Sequence, residues 1–165
     1  MITFGFVVIR WESDLGYCRF VKRAFPEGPR VLDFVDVAIF DYLTGNADRH
    51  HYETYSAWGK DSSVIMLDNG KSFGHPFYDE GTILAPLFQC CMVRYETYTR
   101  LRELNGGTLS RLLRHLVSYD PIAPVLNKLH FAALDRRLAH VVEMIQDCII
   151  KSSSKNPVLV KDSYS

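Results

Sequence analysis

The sequence predicts a mainly α-helical (α+β) fold that contains a single β-hairpin. Apolar residues recur at helical spacing along most of the chain, and the longest such stretch covers residues 130–150. Residues 52–67 differ, because two short runs of aromatic and β-branched residues flank a glycine-containing turn. With 165 residues, 47% of them apolar, the chain can form a real core. We expect one domain over residues 1–150 and a polar flexible tail over residues 151–165.

The balance of charge argues against several classes of partner. Lysine and arginine together number 19, and aspartate and glutamate together also number 19, so the formal net charge is zero. A neutral chain gives no reason to expect nucleic acid or an anionic membrane as the main partner. No run approaches the roughly 18 consecutive apolar residues of a membrane span, so we expect no membrane span in this chain.

The first predicted elements are a short helix around Cys18 and a loop that ends at Pro29. The stretch 31–45, VLDFVDVAIFDYLTG, then has helical apolar spacing, and Gly45 is a natural left-handed helix stop. We expect this helix to be buried on most sides, because it is apolar almost throughout; the exceptions are Asp33, Asp36 and Asp41. A buried helix would present the residues after Gly45 from a rigid support.

The part of the chain after the hairpin is predicted to be one polar loop followed by helices. Asp68-Asn69-Gly70 is a tight-turn sequence that opens the loop. The helices that follow are broken near Pro86 and again near residues 94–96. Two amphipathic helices come last, over residues 108–120 and 130–150. Their predicted inner faces are Leu109, Leu112, Leu113 and Leu116 in the first, and Leu134, Leu138, Val141, Val142 and Ile145 in the second.

Two aspartates twenty positions apart carry the main chemical hypothesis. Asp48 follows the stop at Gly45 within GNADRHHYE, and Asp68 follows the second hairpin strand within LDNGKSFG. Either aspartate alone could be an ordinary turn residue or helix N-cap. Together, a buried helix, an Asp-Arg-His loop, a hairpin and a strand-borne Asp-Asn-Gly reproduce the order of a kinase catalytic loop and metal-binding loop.

This order assigns roles to the side chains around the two aspartates. Asp48 would orient the hydroxyl that attacks a phosphate, and Asp68 would bind Mg²⁺ or Mn²⁺, which prefer oxygen ligands. Glu53 lies where many kinases have an asparagine and would add a second carboxylate. Four further residues would brace the loop or touch phosphate or substrate: Asn46, Arg49, His50 and Lys71. For Lys71, an ordinary solvated loop is an equal alternative.

The four cysteines leave the redox state open when only their spacing is considered. None has the CxxC or histidine-partnered spacing of a zinc site. Four cysteines allow three pairings, and a bond between the adjacent Cys90 and Cys91 would strain the geometry. Pairing each of these with Cys18 or Cys148 implies an oxidising compartment, whereas four reduced, buried cysteines imply the cytosol.

Four segments resemble one known family, the secretory-pathway kinases. They are FDYLTGNADRHHYE, LDNGKSFG, DEGTILAPLFQCC and DPIAPVL, and the similarity extends from about Trp11 to about Cys148. The family includes the Golgi casein kinase and the glycosaminoglycan xylosylkinase, with four-jointed as a relative. The Asn-Ala pair before Asp48, KSFG after Asp-Asn-Gly and ILAPL before the double cysteine are more similar to the xylosylkinase branch.

The resemblance implies the C-terminal lobe of an atypical protein-kinase-like fold in the Golgi lumen, with ATP and Mn²⁺ (or Mg²⁺) as cofactors. It implies that Asp48 is catalytic, that Asp68 binds metal and nucleotide, and that Glu53 contacts the nucleotide. The implied acceptor is the 2-hydroxyl of xylose in the proteoglycan linkage region, and a homo- or heterodimer with a family member is among the implied partners. The implied disulfides are Cys18–Cys90 and Cys91–Cys148, with the swapped pairing as the alternative.

Part of the pattern of a complete kinase is missing from this sequence. We find no Gly-rich loop, no strand lysine for the α- and β-phosphates and no partner glutamate, which belong to an N-terminal lobe. We therefore expect the 165-residue chain to be a truncated kinase with little activity of its own. The competing hypotheses are a catalytically silent pseudokinase or binding module that partners a full-length relative, and a serine-directed secretory protein kinase.

Overall fold

The structure, a computed structural model, describes residues 10–26, 29–55, 57, 59, 62–152 and 157–161. Within those residues the fold is mostly helical, as predicted, and none of the helices is long and apolar enough to cross a membrane. In chain order the elements are α1 (Tyr17–Ala24), α2 (Arg30–Thr44), β1 (Glu53–Thr54), β2 (Val64–Ile65), a 3-10 helix (Gly81–Leu84), α3 (Ala85–Cys90), β3 (Val93–Arg94), α4 (Tyr95–Leu104), α5 (Thr108–Val117), α6 (Lys128–Lys151) and β4 (Leu159–Val160).

Helix α2 lies at the centre of the fold. It is apolar on nearly all sides, and it packs against α3, α6, the 3-10 helix and strands β2 and β3. The helix ends where the sequence predicts, because Gly45 adopts a left-handed conformation with a φ of 73°. The amide of Gly45 then donates to the carbonyl of Tyr42 at 3.1 Å, which satisfies one of the last carbonyls of the helix. The chain therefore leaves α2 in a fixed direction.

Two apolar clusters meet along α2. The first joins α2, α3 and α6, and the inner stripe predicted for α6, from Leu134 to Ile145, is buried. The second contains several aromatic side chains, including Trp11, Phe34 and Tyr52. The rings of Phe34 and Tyr52 lie 4.3 Å apart between centroids, so the loop after α2 packs back onto the helix through Tyr52.

Two disulfides join both ends of the chain to its middle. Cys18 in α1 is bonded to Cys90 in α3, and Cys91 is bonded to Cys148 in α6. This is the pairing that the family resemblance implied, and it is confirmed. Bonds between residues 72 and 57 positions apart restrict the unfolded chain, and each is expected to contribute about 2–4 kcal/mol to stability.

Asp33 and Asp36, two of the three aspartates of α2, hold neighbouring strands. Both accept hydrogen bonds from Arg94 in β3, and Asp33 also accepts the amide of Val64 in β2 at 3.3 Å. Thr97 donates to Asp36 at 3.0 Å. Burial raises the pKa of Asp36, although the Arg94 guanidinium opposes that rise. The polar positions of an otherwise apolar helix are therefore the points where β2 and β3 attach to it.

The hairpin is present, but its strands are shorter than the sequence predicts. Glu53 lies opposite Ile65 and Thr54 opposite Val64 in an antiparallel pair of two residues per strand. Of the predicted turn at residues 59–61, only residue 59 lies within the described part of the chain. A pairing this short relies on the bonds from α2 rather than on its own ladder.

The predicted break near Pro86 is present, between the 3-10 helix and α3, but Pro86 itself does not break a helix. It lies in the first turn of α3, where a proline has no helical hydrogen-bond partner to lose. The end of the 3-10 helix lies two residues earlier, at Leu84. The second predicted break is confirmed, because β3 separates α3 from α4.

The inner face predicted for α5 is wrong at two of its four positions, while Leu109 packs against the core. The segment is helical, but Leu112 and Leu116 are exposed. Helix α5 contacts α6 near its own beginning, where the Ser110 hydroxyl donates to Asp135 at 2.6 Å. The apolar spacing gives the correct element but not the face that is covered.

The flexible tail predicted for residues 151–165 contains a strand. Residues 157–161 include β4, which pairs in parallel with β3 through Leu159 opposite Val93. Val158 is buried in the cluster that joins α2 and α6. The prediction is therefore wrong for this segment, because its three consecutive apolar side chains reach a sheet edge that local sequence does not reveal.

Arg137 of α6 closes the space behind Gly45. Its guanidinium is buried and donates to the carboxylate of Asp79 at 2.6 Å. It also donates, at 2.9–3.3 Å, to three backbone carbonyls, those of Leu43, His75 and Tyr78. A Cβ atom on residue 45 would lie 2.6 Å from Arg137 Nη1, so the close approach requires glycine as much as the positive φ does.

We predict that Gly45→Ala lowers the free energy of unfolding more than Gly106→Ala does. Both glycines have a positive φ, of 73° and 68°, but nothing lies within 4 Å of a Cβ built on Gly106. The strained φ alone costs about 1–2 kcal/mol, and displacement of the buried Arg137 should add about 1–3 kcal/mol at Gly45. Urea unfolding measures both losses, and equal losses would show that Arg137 moves without cost.

Candidate active site

Two loops carry the residues that the sequence analysis selected. The first loop, residues 46–52, follows α2, and the second, residues 66–74, follows β2. One small cavity between them is lined by polar side chains from both loops and from β1: Asp48, Arg49, His50, His51, Glu53 and Asp68. The structure thus brings together the candidates for catalysis, nucleotide binding and metal binding, although twenty positions separate the two aspartates.

Asn46 connects α2 to both loops. Its side chain is completely buried, and its amide nitrogen donates to Asp41 Oδ1 at 3.2 Å and to the carbonyl of Asp68 at 3.4 Å. Its amide oxygen accepts the backbone N–H of Asp48 at 3.3 Å. One side chain therefore fixes the backbone at each of the two candidate aspartates.

Arg49 forms a second, charged connection. Its guanidinium makes a bidentate pair with the buried carboxylate of Asp41, with Nε–Oδ2 and Nη2–Oδ1 distances of 2.7 Å. The same guanidinium donates to the carbonyl of Leu67 and, at 2.8 Å, to the side chain of Asn69. The hydrogen bonds to Asp41 raise the pKa of Arg49. The charge that joins α2 to the two loops is therefore permanent.

The carboxylate of Asp48 is accessible. Its side chain is 42% exposed, and Oδ1 lies 2.8 Å from Nε2 of His50. His50 is itself largely exposed, so the contact leaves the aspartate open to solvent. A solvent-accessible carboxylate on a loop that Asn46 and Arg49 hold in place is suited to orienting an incoming hydroxyl group.

Glu53 offers a carboxylate oxygen without a partner. Its Oε1 lies 2.8 Å from Nε2 of His51, whereas Oε2 is buried and has no hydrogen-bond partner among the described residues. Buried polar atoms without partners are rare in folded proteins, so this oxygen is available to a ligand, an ion or a water molecule. Asp68, with a positive φ of 55°, presents a second carboxylate at the same cavity.

These two carboxylates fit a divalent cation that also binds phosphate oxygens. Mg²⁺ and Mn²⁺ prefer oxygen ligands, and Mg²⁺ is usually held by one or two carboxylates together with substrate phosphates. No group of three histidine, cysteine or acidic side chains able to hold a metal occurs in the described part of the chain. A cation at this cavity would therefore take its remaining ligands from the nucleotide and from water.

A second and larger cavity, of about 340 Å³, also has Asp48 in its wall. Its other polar side chains come from the segment after the metal-binding candidate: Lys71, His75, Tyr78 and Glu80. Lys71 therefore lies in this cavity rather than in the one that Asp68 lines. Asp48 is the residue that the two cavities share.

The segment that carries Tyr78 is held by two arginines of α6. Arg136 makes a bidentate pair with Asp79 at 2.6 and 2.8 Å, and Arg137 bonds the same carboxylate at 2.6 Å. The contact with Arg136, supported by Arg137, lowers the pKa of Asp79. The wall of the larger cavity is thus tied to the longest helix of the fold.

Three residues of this framework were not among the sequence-based candidates: Asp41, Asp79 and Arg137. Asp41 and Arg137 each gave a signal that could have identified them, because Asp41 is a charged residue in an otherwise apolar helix and Arg137 follows Leu134 at the spacing of the buried stripe of α6. Such a position requires a partner. Asp79 gave no such signal, because an aspartate in a polar loop is ordinary.

We predict that Arg49→Gln strongly destabilises the chain, because it leaves the buried Asp41 carboxylate unpaired. The expected loss is about 3–5 kcal/mol in the free energy of unfolding. The double variant Asp41→Asn/Arg49→Gln should lose less than the sum of the two single variants, by about 1–3 kcal/mol. As a matched control, Arg100→Gln breaks an exposed pair with Glu103 and should cost under about 1 kcal/mol. Additive losses would contradict a coupled pair.

Two comparisons by sequence bear on the identity of the chain. The family described as "Golgi casein kinase, C-terminal, Fam20" matches residues 7–157. The glycosaminoglycan xylosylkinase of Danio rerio is 51% identical over 152 residues, which are 91% of this chain and 37% of that protein. The human pseudokinase FAM20A is 39% identical over 153 residues, which are 90% of this chain and 28% of that protein. The chain thus spans about a third of the length of these relatives.

Solved structures agree with the sequence comparisons. The structure of hydra Fam20 with sugar is 45% identical, with a TM-score of 0.83, and the match covers 98% of this chain and 47% of that one. The Golgi casein kinase with Mn/ADP bound is 34% identical, with a TM-score of 0.82, covering 96% and 40%. The resemblance to secretory-pathway kinases is confirmed: the chain belongs to the Fam20 Golgi casein kinase family and has the fold of its C-terminal region.

Proposed function

We propose that this chain supplies the catalytic half of a kinase site that transfers the γ-phosphate of ATP to a sugar hydroxyl. The observation that carries the proposal is the position of Asp48, which is shared by the cavity of Asp68 and Glu53 and by the larger cavity beside it. The acceptor proposed is the 2-hydroxyl of xylose in the proteoglycan linkage region. A xylosylkinase relative that is 51% identical supports a sugar acceptor over a protein serine.

Each residue has a role that follows from its position. Asp48 accepts a hydrogen bond from the acceptor hydroxyl and orients its oxygen toward the phosphate. Asn46 and Arg49 hold the backbone of Asp48 and of Asp68 in fixed positions relative to each other. Asp68 and Glu53 would hold Mn²⁺ (or Mg²⁺) with the nucleotide, and that ion would neutralise charge on the phosphates. His50 limits the rotation of the Asp48 carboxylate through its 2.8 Å contact.

Further groups are needed to hold ATP from the opposite side. Kinases use a Gly-rich loop and a strand lysine for this purpose. We propose that an N-terminal lobe supplies them, that this chain forms the C-terminal lobe with β4 as part of it, and that this chain alone has little activity. The two disulfides and the family support the Golgi lumen as the compartment, where a homo- or heterodimer with a family member would bring a second lobe close.

A catalytically silent binding module is the second candidate function. The match to a pseudokinase, at 39% identity, favours it. The presence of both Asp48 and Asp68, with the side chains that position them, favours an active enzyme. The two candidates differ in phosphate transfer, while both allow nucleotide binding.

A chimera tests the proposal. This chain would replace the 152 aligned residues of the Danio rerio xylosylkinase, and phosphate transfer to a β-xyloside would be measured with Mn²⁺ and ATP. We predict transfer that falls about 10²–10⁴-fold with Asp48→Asn and that falls with Asp68→Asn, because this variant holds Mn²⁺ less tightly. Asp147→Asn, an exposed aspartate on α6, is the matched control and should leave the rate unchanged.

Three outcomes would contradict parts of this proposal. A folded chimera that binds Mn²⁺ and ATP but transfers no phosphate would support the silent module. Transfer to a casein-like peptide, without transfer to the xyloside, would exclude the sugar acceptor. Phosphorylation of the xyloside by the isolated 165-residue chain, dependent on Asp48, would exclude the need for an N-terminal lobe.

A further inference from the structure

We infer that Tyr78 is the stacking platform of a carbohydrate subsite in the larger cavity, with Lys71 and Glu80 as its polar contacts. The inference rests on the proposed function in one respect, since it assigns the acceptor sugar to this cavity. It goes further by naming the side chains that would recognise a pyranose ring.

The cavity has the size and the wall of a small-molecule site. Its volume of about 340 Å³ lies within the range of roughly 300–1,000 Å³ that is usual for such sites. Part of the wall is formed by small, uncharged residues, namely Gly45, Ala47 and Gly74. An aromatic ring and charged groups form the rest. Asp48 in the same wall would place a bound hydroxyl group beside the proposed catalytic carboxylate.

Tyr78 is a large aromatic side chain that the apolar core does not use. It is 61% exposed and belongs to neither of the two buried clusters. Its hydroxyl donates to Glu80 Oε2 at 2.6 Å, so the orientation of the ring is restricted despite the exposure. An exposed aromatic ring that is fixed in place loses little conformational freedom when a ligand stacks on it.

Glu80 is itself fixed and charged. Its Oε1 accepts the amide of Thr82 at 3.1 Å and the hydroxyl of Thr82 at 2.8 Å. The hydrogen bond from Tyr78, with those from Thr82, lowers the pKa of Glu80, and the same bond to Glu80 raises the pKa of Tyr78. At neutral pH the carboxylate is therefore ionised and the phenol protonated. Oε2 of Glu80 accepts only the Tyr78 hydroxyl and keeps a lone pair that can accept a sugar hydroxyl.

The backbone under Tyr78 is rigid. Arg137 donates to the carbonyl of Tyr78 at 2.9 Å and to that of His75 at 3.1 Å. Asp79, the next residue, is bonded by both Arg136 and Arg137. The segment is therefore positioned before any ligand arrives, which is the condition for a specific subsite.

The chemistry of the wall favours a neutral, polyhydroxylated ligand. A phosphate or carboxylate would lie close to the carboxylates of Asp48 and Glu80. An apolar ligand would remove water from the charged groups of Lys71 and Glu80 without replacing its hydrogen bonds. A pyranose has a face of C–H groups, which suits the negative face of an aromatic ring, and a rim of hydroxyls, which suits the ammonium and the carboxylate.

The neighbouring Phe77 provides a matched control. It is 71% exposed, more than Tyr78, but its ring lies edge-on to His75 at 6.1 Å and does not line the cavity. If any exposed aromatic ring bound the sugar, substitution of either residue would weaken sugar binding. If the cavity is a specific subsite, only substitution of Tyr78 would weaken it.

The test is an NMR titration of the full 165-residue chain with methyl β-D-xyloside. We expect Tyr78→Ala to weaken binding about tenfold, and Tyr78→Phe to retain most of it because the ring remains. Glu80→Gln should weaken binding about three- to tenfold through the lost charge. Phe77→Ala should change it less than about twofold, and circular dichroism should show all four variants folded.

Each outcome either supports or overturns the inference. Equal binding by the wild type and Tyr78→Ala, equal losses in Tyr78→Ala and Phe77→Ala, or no xyloside binding by the wild type would overturn it. A failure of the proposed function gives a different result. If xyloside binding depends on Tyr78 but the chimera transfers no phosphate, the proposed kinase activity is refuted and the proposed subsite is supported. In an active chimera, Tyr78→Ala should raise KM for the xyloside far more than it lowers kcat.

Discussion

The ion pair between Asp41 and Arg49 is the interaction on which the candidate site depends. Asp41 lies inside the fold on a helix with apolar neighbours, and an unpaired charge at that position would be very costly. The Arg49 guanidinium pairs with this carboxylate and also donates hydrogen bonds to Leu67 and Asn69 in the second loop. The requirement to pair one buried carboxylate therefore sets the distance between two loops that are remote in sequence.

Helix α2 turns this local requirement into a framework. Its three aspartates attach β3, β2 and the loop of Asp48 to one rigid element, and the two disulfides fix α1, α3 and α6 around it. Gly45 then directs the chain into the site, with Arg137 packed behind it. Catalytic groups need support of this kind, since small displacements of a positioned carboxylate reduce its effectiveness.

The sequence predicts well where local pattern decides the structure. Helix α2 with its stop at Gly45, the buried stripe of α6 and the existence of the hairpin all follow from apolar spacing and turn chemistry. It predicts poorly where tertiary partners decide. The exposed face of α5 and the pairing of β4 with β3 depend on which surfaces happen to be adjacent. Within the site, Asp48 and Asp68 follow from their motifs, whereas Asp79 becomes visible only through its arginine partners.

We propose that α2 and its polar contacts present Asp68, Glu53 and Asp48 as one metal and nucleotide site. The most direct measurement is paramagnetic broadening of backbone amide signals in the 165-residue chain when Mn²⁺ is added with ADP. We predict that signals from residues 46–53 and 66–70 broaden together, and that Asp68→Asn removes the effect while Asp147→Asn does not. Broadening confined to one loop, or broadening that persists in Asp68→Asn, would contradict it.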